Sequence, residues 1–494
     1  MTQNGGPMVR LVYPHQLFTQ QLDVPADTRH VLVEDDLYFR QYRFHSHKLV
    51  LHRASMASFA QQLREAGFDP LVIESSPDDT SAHELTAAVR ELTPARITVY
   101  DVVDDWLARD CTAALRAAGY ELTVDDVLET PNFLTSRAQF TGWFEANKAQ
   151  MQYFYQWQRA RLDVMVEHGR PVGGKWSYDA DNRKKLPRGE PVPAVQWPAR
   201  SPAVTEAIEW VRREFPGAPG DPETFGWPTT HAEADAAYEQ FLIERFEKFG
   251  PYEDAIAAAH PVLFHSALSP SLNVGLLDPH DVVARALDAA DQQAVPLSSV
   301  EGFIRQVIGW REYMRATYHL YGRRMRSANQ LGHTRSLDDG WWTGQTGLGA
   351  VDHVVGEVLE RGWAHHIERL MVLGNAMCLL RVDPQEIYEW NMAMFVDAYD
   401  WVMVPNVYAM SQYAAGSAIT TKPYVSGSNY LRKMSDLARG DWEADWDGLY
   451  WTFVRDHREV FEANFRSRMM VAMWDSMDTD KQVGHVHRAG RYLT

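Results

Sequence analysis

Cysteine is almost missing: Cys111 and Cys378 are the two in 494 residues. That excludes a disulfide framework, and it excludes a four-cysteine zinc or iron–sulfur site built from this chain alone. Long hydrophobic runs are missing too, so a membrane-spanning helix is not expected. The opening MTQNGGPMVRLVYPHQL lacks a basic region followed by an apolar one. No secretion signal is therefore read there, and a cytoplasmic location is expected. Positive charge is in deficit: the net charge of −18 argues against indiscriminate coating of nucleic acid. Local basic patches remain at DNRKKLPRGE (181–190), YGRRMRSANQ (321–330) and NYLRKMSD (429–436), each equally readable as a solvated face. No P-loop signature occurs, and no dinucleotide-type glycine fingerprint follows a strand.

Aromatics are plentiful, at 12% with 17 Trp. They suit large helical cores or a flat aromatic ligand. The first 130 or so residues alternate short β-branched runs with amphipathic stretches. MVRLVYP, HVLVED, KLVLHRA, PLVIES, RITVYDV and YELTVDD read as strands. SMASFAQQLREAG and SAHELTAAVREL read as helices. Such alternation implies a parallel sheet covered on both faces, a Rossmann-like α/β domain over 1–130. Residues 131–225, with PVGGKWSYDADNRKKLPRGEPVPAVQWPARSP, read as an interdomain connection with few regular elements. From 226 to 494 strand signals nearly vanish and helical periodicity takes over, predicting an all-α domain. Asp278 and Asp383 precede Pro, and Ser298 and Ser299 stand where N-caps are expected.

Three segments carry candidate chemistry. FHSALSPSLNVGLLDP (264–279) runs from small polar residues into an apolar helix, and helix N-termini seat pyrophosphates. VEGFIRQVIGWREYMR (300–315) puts Phe303, Val307 and Trp310 near one stripe, beside Glu301, Arg305, Gln306, Arg311 and Glu312; an ordinary amphipathic helix with i,i+4 ion pairs fits equally. ERGWAHHIERLMVLGNAM (360–377) places His365 and His366 at the head of an apolar helix. A metal site there is discounted, because adjacent histidines diverge on a helix and none lies at i+4 with a carboxylate between. HVHR near the end reads as a solvated tail.

FHSALSPSLNVGLL, EGFIRQVIGWREYMR, AHHIERLMVLGN, DAYDWVMVPNVYAMSQYA and TKPYVSGSNYLRKMSD, in that order, resemble the flavin-binding half of photolyases and cryptochromes. PVGGKWSYDADNRKK and a faint PHQLF narrow the likeness to the bacterial photolyase-related branch that repairs (6-4) photoproducts. The resemblance implies a photolyase/cryptochrome fold with a U-shaped FAD in the helical domain. Ser266, Leu268 and Ser269 would meet its phosphates. Glu301, Arg305, Trp310 and Arg311 would surround it. Asp397 and Tyr399 would lie near isoalloxazine and ribose, with Met403 at flavin N5. His365 and His366 would stand beside the lesion, His366 as proton donor, since histidine can supply a proton near neutral pH. Lys422, Tyr424 and Arg183 would touch UV-damaged DNA, flipped out of the duplex. Trp390 and Trp342 fall on electron-transfer aromatics.

The chain also departs from that branch. Ala350, Ala438, Asp441 and roughly Ala444 stand where four cluster cysteines are expected, so a 4Fe–4S cluster is not expected; Trp442 and Trp446 are read as filling that volume. Met403 can neither donate nor take a proton. Asn391 stands where an electron-relaying tyrosine is expected. A lumazine-like antenna between the domains is implied, but EDDLYFRQYRFHSHK (34–48) matches the branch poorly. The expectation is a monomeric, light-driven, FAD-dependent (6-4) photolyase. The alternatives are a cryptochrome-like photoreceptor without repair activity, and a flavoprotein that has lost both functions.

Overall fold

The computed structural model describes residues 6–493. Met1–Gly5, part of the stretch read for a secretion signal, and Thr494 lie outside them. Five parallel strands form one sheet in the order β3-β2-β1-β4-β5. They are β1 (Met8–Val12), β2 (Arg29–Val33), β3 (Leu71–Ile73), β4 (Arg96–Tyr100) and β5 (Val127–Leu128). Val9 pairs with Arg29 on one side and Ile97 on the other, so β1 is central. Both its faces are covered: Val9 and Leu11 are fully buried, and Arg10 is held by Thr98 at 2.8 Å. A doubly covered parallel sheet needs such strands.

Two strand expectations are corrected. KLVLHRA lies inside the helix Ser46–Glu65, in which Lys48, Leu49, Val50 and Leu51 are all fully buried. A helix packed on every side loses its 3.6-residue alternation and looks like a buried strand. YELTVDD forms only a short 3-10 turn, Val124–Asp126, locked by a capping box between Thr123 and Asp126; the strand starts after it. The helix Asp105–Ala117, capped by Asp104, went unread in the sequence.

The stretch 131–225 carries more structure than expected. Helices Arg137–Ala146, Met151–Leu162 and Pro202–Glu214 lie within it, the first opened by a Ser136/Gln139 capping box. Met151–Leu162 packs on the cavity-forming segment Arg305–Arg311. Beyond 226 the chain is helical. Asp278 and Asp383 cap their helices as expected. Ser298 and Ser299 do not: the helix Leu297–Ile304 starts before them, and the Ser299 hydroxyl instead accepts from Gly250 N–H and donates to Glu247 O. HVHR is no tail. It belongs to the helix Thr479–Leu493, which packs along Trp442–Asp456 with Arg488 2.8 Å from Asp445. Near the expected cluster positions, the Trp442 indole donates to Ala438 O at 3.0 Å and lies against Gly349, and Trp446 is fully buried. Among the described residues no helix is long and apolar enough to cross a membrane, and no group of three or more His, Cys, Asp or Glu could hold a metal ion.

Candidate functional site

Three helices of the second half widen into π-helical turns: Arg305–Arg311, Glu368–Gly374 and Pro405–Ser411. All three face the same place. They enclose two adjoining chambers of about 230 and 290 Å³ that share Ser269, Trp363, His366, Arg369, Asp397 and Met403. A π-turn adds one residue per turn and re-aims side chains, and such turns concentrate at functional sites. Here they turn Gln306, Val307, Trp310 and Arg311 inward from the first, Arg369 and Leu370 from the second, and Asn406, Val407 and Met410 from the third.

Asp397 organises one wall. Its carboxylate accepts two parallel N–H bonds from Arg369, at 2.8 and 3.0 Å, and a third from the Ser269 hydroxyl at 2.5 Å. Asn273 binds the Asp397 carbonyl at 2.9 Å. Arg369 also reaches Ala364 O at 2.7 Å and lies over the Phe395 ring at 4.0 Å. A planar fork held on three sides does not move readily.

Arg311 lines the second chamber and reaches Asn273 Oδ1 at 3.4 Å. It binds both the carbonyl and the side-chain oxygen of Asn132 and lies 4.2 Å over Phe133. Burial pushes its guanidinium down to about 10, and its Nε has no partner. A desolvated cation lining a chamber suits an anionic group such as a phosphate, and Trp310, Trp363 and Phe249 offer flat apolar surface for a ring.

The two histidines divide as an adjacent helical pair must. His365 is 2% exposed and stacks on His265, with ring centroids 4.5 Å apart. His366, by contrast, is exposed, and its ring opens on both chambers. Burial pushes His365 down to about 3; desolvation at the cavity wall lowers His366 as well, and Arg369 adds to both shifts. Both rings are thus driven toward the neutral form, His365 by its enclosure and His366 by the dry wall it borders.

The remaining expected residues sort by position. Ser266, Leu268, Ser269, Trp310, Arg311, Asp397 and Met403 line the cavity. Glu301 and Arg305 do not. They form a buried pair at 3.2 Å behind the wall, where Arg305 supports Glu253 at 3.1 Å and Glu301 receives Tyr178 N–H at 2.8 Å. Tyr399 does not either: its hydroxyl meets His52 at 2.8 Å in the seam with the α/β domain. The helix Ser269–Val274 is short, and Ser269, its first residue, is committed to Asp397. Arg183 is exposed, paired with Asp179 and 3.8 Å from the cavity residue Asp254. Tyr424 is half-buried within range of the charges of Arg183, Asp254 and Arg466, and Lys422 sits two residues before it. Trp390 donates to Trp341 O at 3.0 Å and meets the Trp341 ring edge-on at 6.0 Å. Trp342 is not its ring partner; it lies under Arg43.

Sequence reasoning missed Trp363 and Arg369, although both lie in the quoted stretch with the histidines. Trp363 begins an indole column: Trp363 to Trp227 at 6.2 Å, then Trp227 to Trp197 at 5.0 Å, where Trp197 is 39% exposed. No spacing rule links residues 197, 227 and 363. Asn273 and Asn406, also missed, carried no signal beyond being polar in apolar runs.

Residues 10–227 match the family described as deoxyribodipyrimidine photo-lyase-related protein, and residues 303–454 match the FAD binding domain of DNA photolyase. The chain is 35% identical over 452 residues to the (6-4) photolyase of Agrobacterium fabrum, with 88% of each chain covered. Two solved structures share its fold at 14% identity and a TM-score of 0.58. One is a bacterial class III photolyase from Agrobacterium tumefaciens, covering 100% of this chain and 98% of that one. The other is a cryptochrome from Synechocystis sp. PCC6803, covering 97% and 93%.

Proposed function

This chain belongs to the photolyase/cryptochrome family, in its photolyase-related branch, and on that premise we propose that it is a light-driven DNA repair enzyme that reverts (6-4) pyrimidine photoproducts. The observation that carries the reading is the His366 ring opening on a chamber walled by Arg311, Trp310 and the Arg369–Asp397 pair. FAD belongs in that chamber: Arg311 would meet its phosphates, Asp397 and Asn406 its polar edges, and Trp310 its apolar surface. When bound and reduced, FAD supplies the light-excited electron for the lesion.

The chain's own residues do the rest. His366 holds a proton on its imidazole and gives it to the lesion, then takes it back as the bases part; no net redox change results. His365, sealed behind it, fixes its orientation. Arg369 and Asp397 hold the wall rigid, and Trp363 and Met403 keep water from the flat surface. Arg183, Lys422 and Tyr424, near the acidic rim at Asp254, are assigned to the DNA strand and the flipped base. Electron supply is assigned to the column Trp363–Trp227–Trp197, because it starts at the chamber wall and ends in solvent. No antenna site is assigned: residues 34–48 bury Tyr38, Phe39, Phe44 and His45 in the seam.

The test is direct. The purified, reduced protein is illuminated with an oligonucleotide carrying one (6-4) lesion. The lesion disappears in light and not in darkness, and His366→Ala abolishes that loss. A second reading, a photoreceptor, draws on Met403 and Asn391, both facing the chamber without an ionisable group. Light-driven change in the flavin spectrum with the lesion left intact decides for it.

A further inference from the structure

A buried carboxyl lies against His365, where it can supply the site with a proton. His365 stands just before the helix that starts at His366, and Glu368, three residues on, reaches back to it as the acid of a capping box does. Its Oε1 is 3.3 Å from His365 Nε2, and its Oε2 accepts the His365 backbone N–H at 3.2 Å. Both side chains are 1% exposed. No cation pairs with this carboxyl: the neighbouring Arg369 is spent on Asp397 and Ala364 O. Neither ring nitrogen of His365 has a well-aligned partner. Burial without a counter-charge holds the Glu368 carboxyl up to about 8, so it is protonated at neutral pH.

Behind Glu368 the arrangement continues toward solvent. On the helix Gly349–Arg361, Glu357 lies close enough for its charge to bear on both His365 and Glu368. Glu357 Oε1 is 3.3 Å from His353 Nε2, and the His353 side chain is 27% exposed. The other groups facing the pair are His265, stacked on His365, and His366 and Arg369 from the same helix, with Arg305 bearing on His366. Two acid–base pairs, His353–Glu357 toward the surface and Glu368–His365 at the chamber, thus lie within reach of each other's charges.

We propose that Glu368 is the proton store of the histidine pair, refilled from solvent through Glu357 and His353. The proposal rests on the repair reading above. As negative charge reaches the substrate, the Oε1–H bond of Glu368 breaks, its electron pair stays on the carboxylate, and the proton bonds to the Nε2 lone pair of His365. When the His366 N–H proton passes to the substrate its electron pair stays on the His366 ring, and the cationic His365 beside it offsets that negative charge. When the substrate returns its proton, the sequence reverses, so nothing is consumed. Glu368 never touches the substrate; it is a positioning residue acting through His365.

Two measurements test this separately. The first is infrared spectroscopy of the purified protein, with and without flavin. At neutral pH it shows the carbonyl stretch of a buried protonated carboxylic acid, which converts to carboxylate near pH 8 and is missing in Glu368→Gln. The second is the pH profile of lesion loss. Glu368→Gln lowers the rate roughly tenfold or more and flattens the alkaline limb, and Glu368→Asp restores part of both. A protein without that infrared band at neutral pH, or a Gln variant with the parent's rate and profile, overturns the proposal. Should no lesion be lost even in the parent, the repair reading fails, and the band alone then decides where the resting proton sits.

Discussion

Glu368 and His365 are pushed in opposite directions by the same burial, because each is driven toward its neutral form. The consequence for stability can be signed. Glu368 has its folded value raised, so its contribution is fully present below about 4.5 and is lost as pH rises toward about 8. Glutamine keeps the shape and cannot ionise. Glu368→Gln should therefore gain stability relative to the parent between about pH 5 and about pH 8, by several kcal/mol at roughly 1.4 kcal/mol per unit. Urea unfolding of both proteins at the two pH values checks it; a constant difference counts against a buried acid. His366 behaves differently, because its ring opens on the cavity rather than filling the core. His366→Ala should cost under about 1 kcal/mol in stability while lesion loss falls by about a hundredfold or more. A large fall in melting temperature in that variant means that the ring is a packing element, not a donor.

The elements show what a single sequence conveys and what it hides. The strand of Val9 and Leu11, the capped helices at Asp278 and Asp383, and the helix head at His365–His366 are all local signals, and all are where periodicity and caps place them. The helix through Lys48–Leu51 was misread because burial on every face erases alternation. The three π-turns were invisible, since nothing in RQVIGWR, ERLMVLG or PNVYAMS distinguishes a π-turn from an α-turn. Yet within one such turn Arg311 lines the cavity and Arg305, at its other end, does not. Two predictions belong here. Gly362 ends the helix before Trp363 with φ at +65°, and a Cβ there would sit 2.7 Å from Val396. Gly362→Ala should cost at least about 1–2 kcal/mol. It should also lower flavin retention, read as the ratio of flavin to protein absorbance after gel filtration, because the chain into Trp363 and His366 must shift. In the indole column, Trp227→Phe keeps an aromatic ring but one far harder to oxidise. It should slow light-driven flavin reduction severalfold with flavin content unchanged, whereas Trp342→Phe should leave the rate alone. Equal rates in the parent and Trp227→Phe remove the column from electron supply.

On the scale of the whole molecule, the cavity depends on the α/β domain although none of that sheet lines it. The helix Ser46–Glu65 presses into the helical half and delivers Lys48 to its far side. The Lys48 ammonium is fully buried and donates to Met392 O at 2.8 Å and Ala398 O at 2.7 Å. Those carbonyls bracket the turn that carries Asp397, the residue that anchors Arg369 and Ser269. One lysine thus ties the sheet domain to the cavity wall, a link between residues 48 and 398 that no local pattern reports. Burial lowers its amine to about 7. Because that value lies below the unfolded one, the stability Lys48 supplies is full at alkaline pH and is lost as pH falls from about 10.5 through about 7. Lys48→Met preserves the packing and leaves two buried carbonyls unpaired, at about 1–3 kcal/mol for each. The penalty should be largest near pH 9 and shrink toward pH 6, about where the parent must carry a buried charge of its own. Flavin should also bind less tightly, since the turn holding Asp397 is freed. Thermal unfolding of both proteins with and without added FAD separates the effects, because a ligand that binds only the folded state raises the melting temperature in step with its affinity. If Lys48→Met melts lower but gains as much from FAD as the parent does, the seam stabilises the fold without shaping the site.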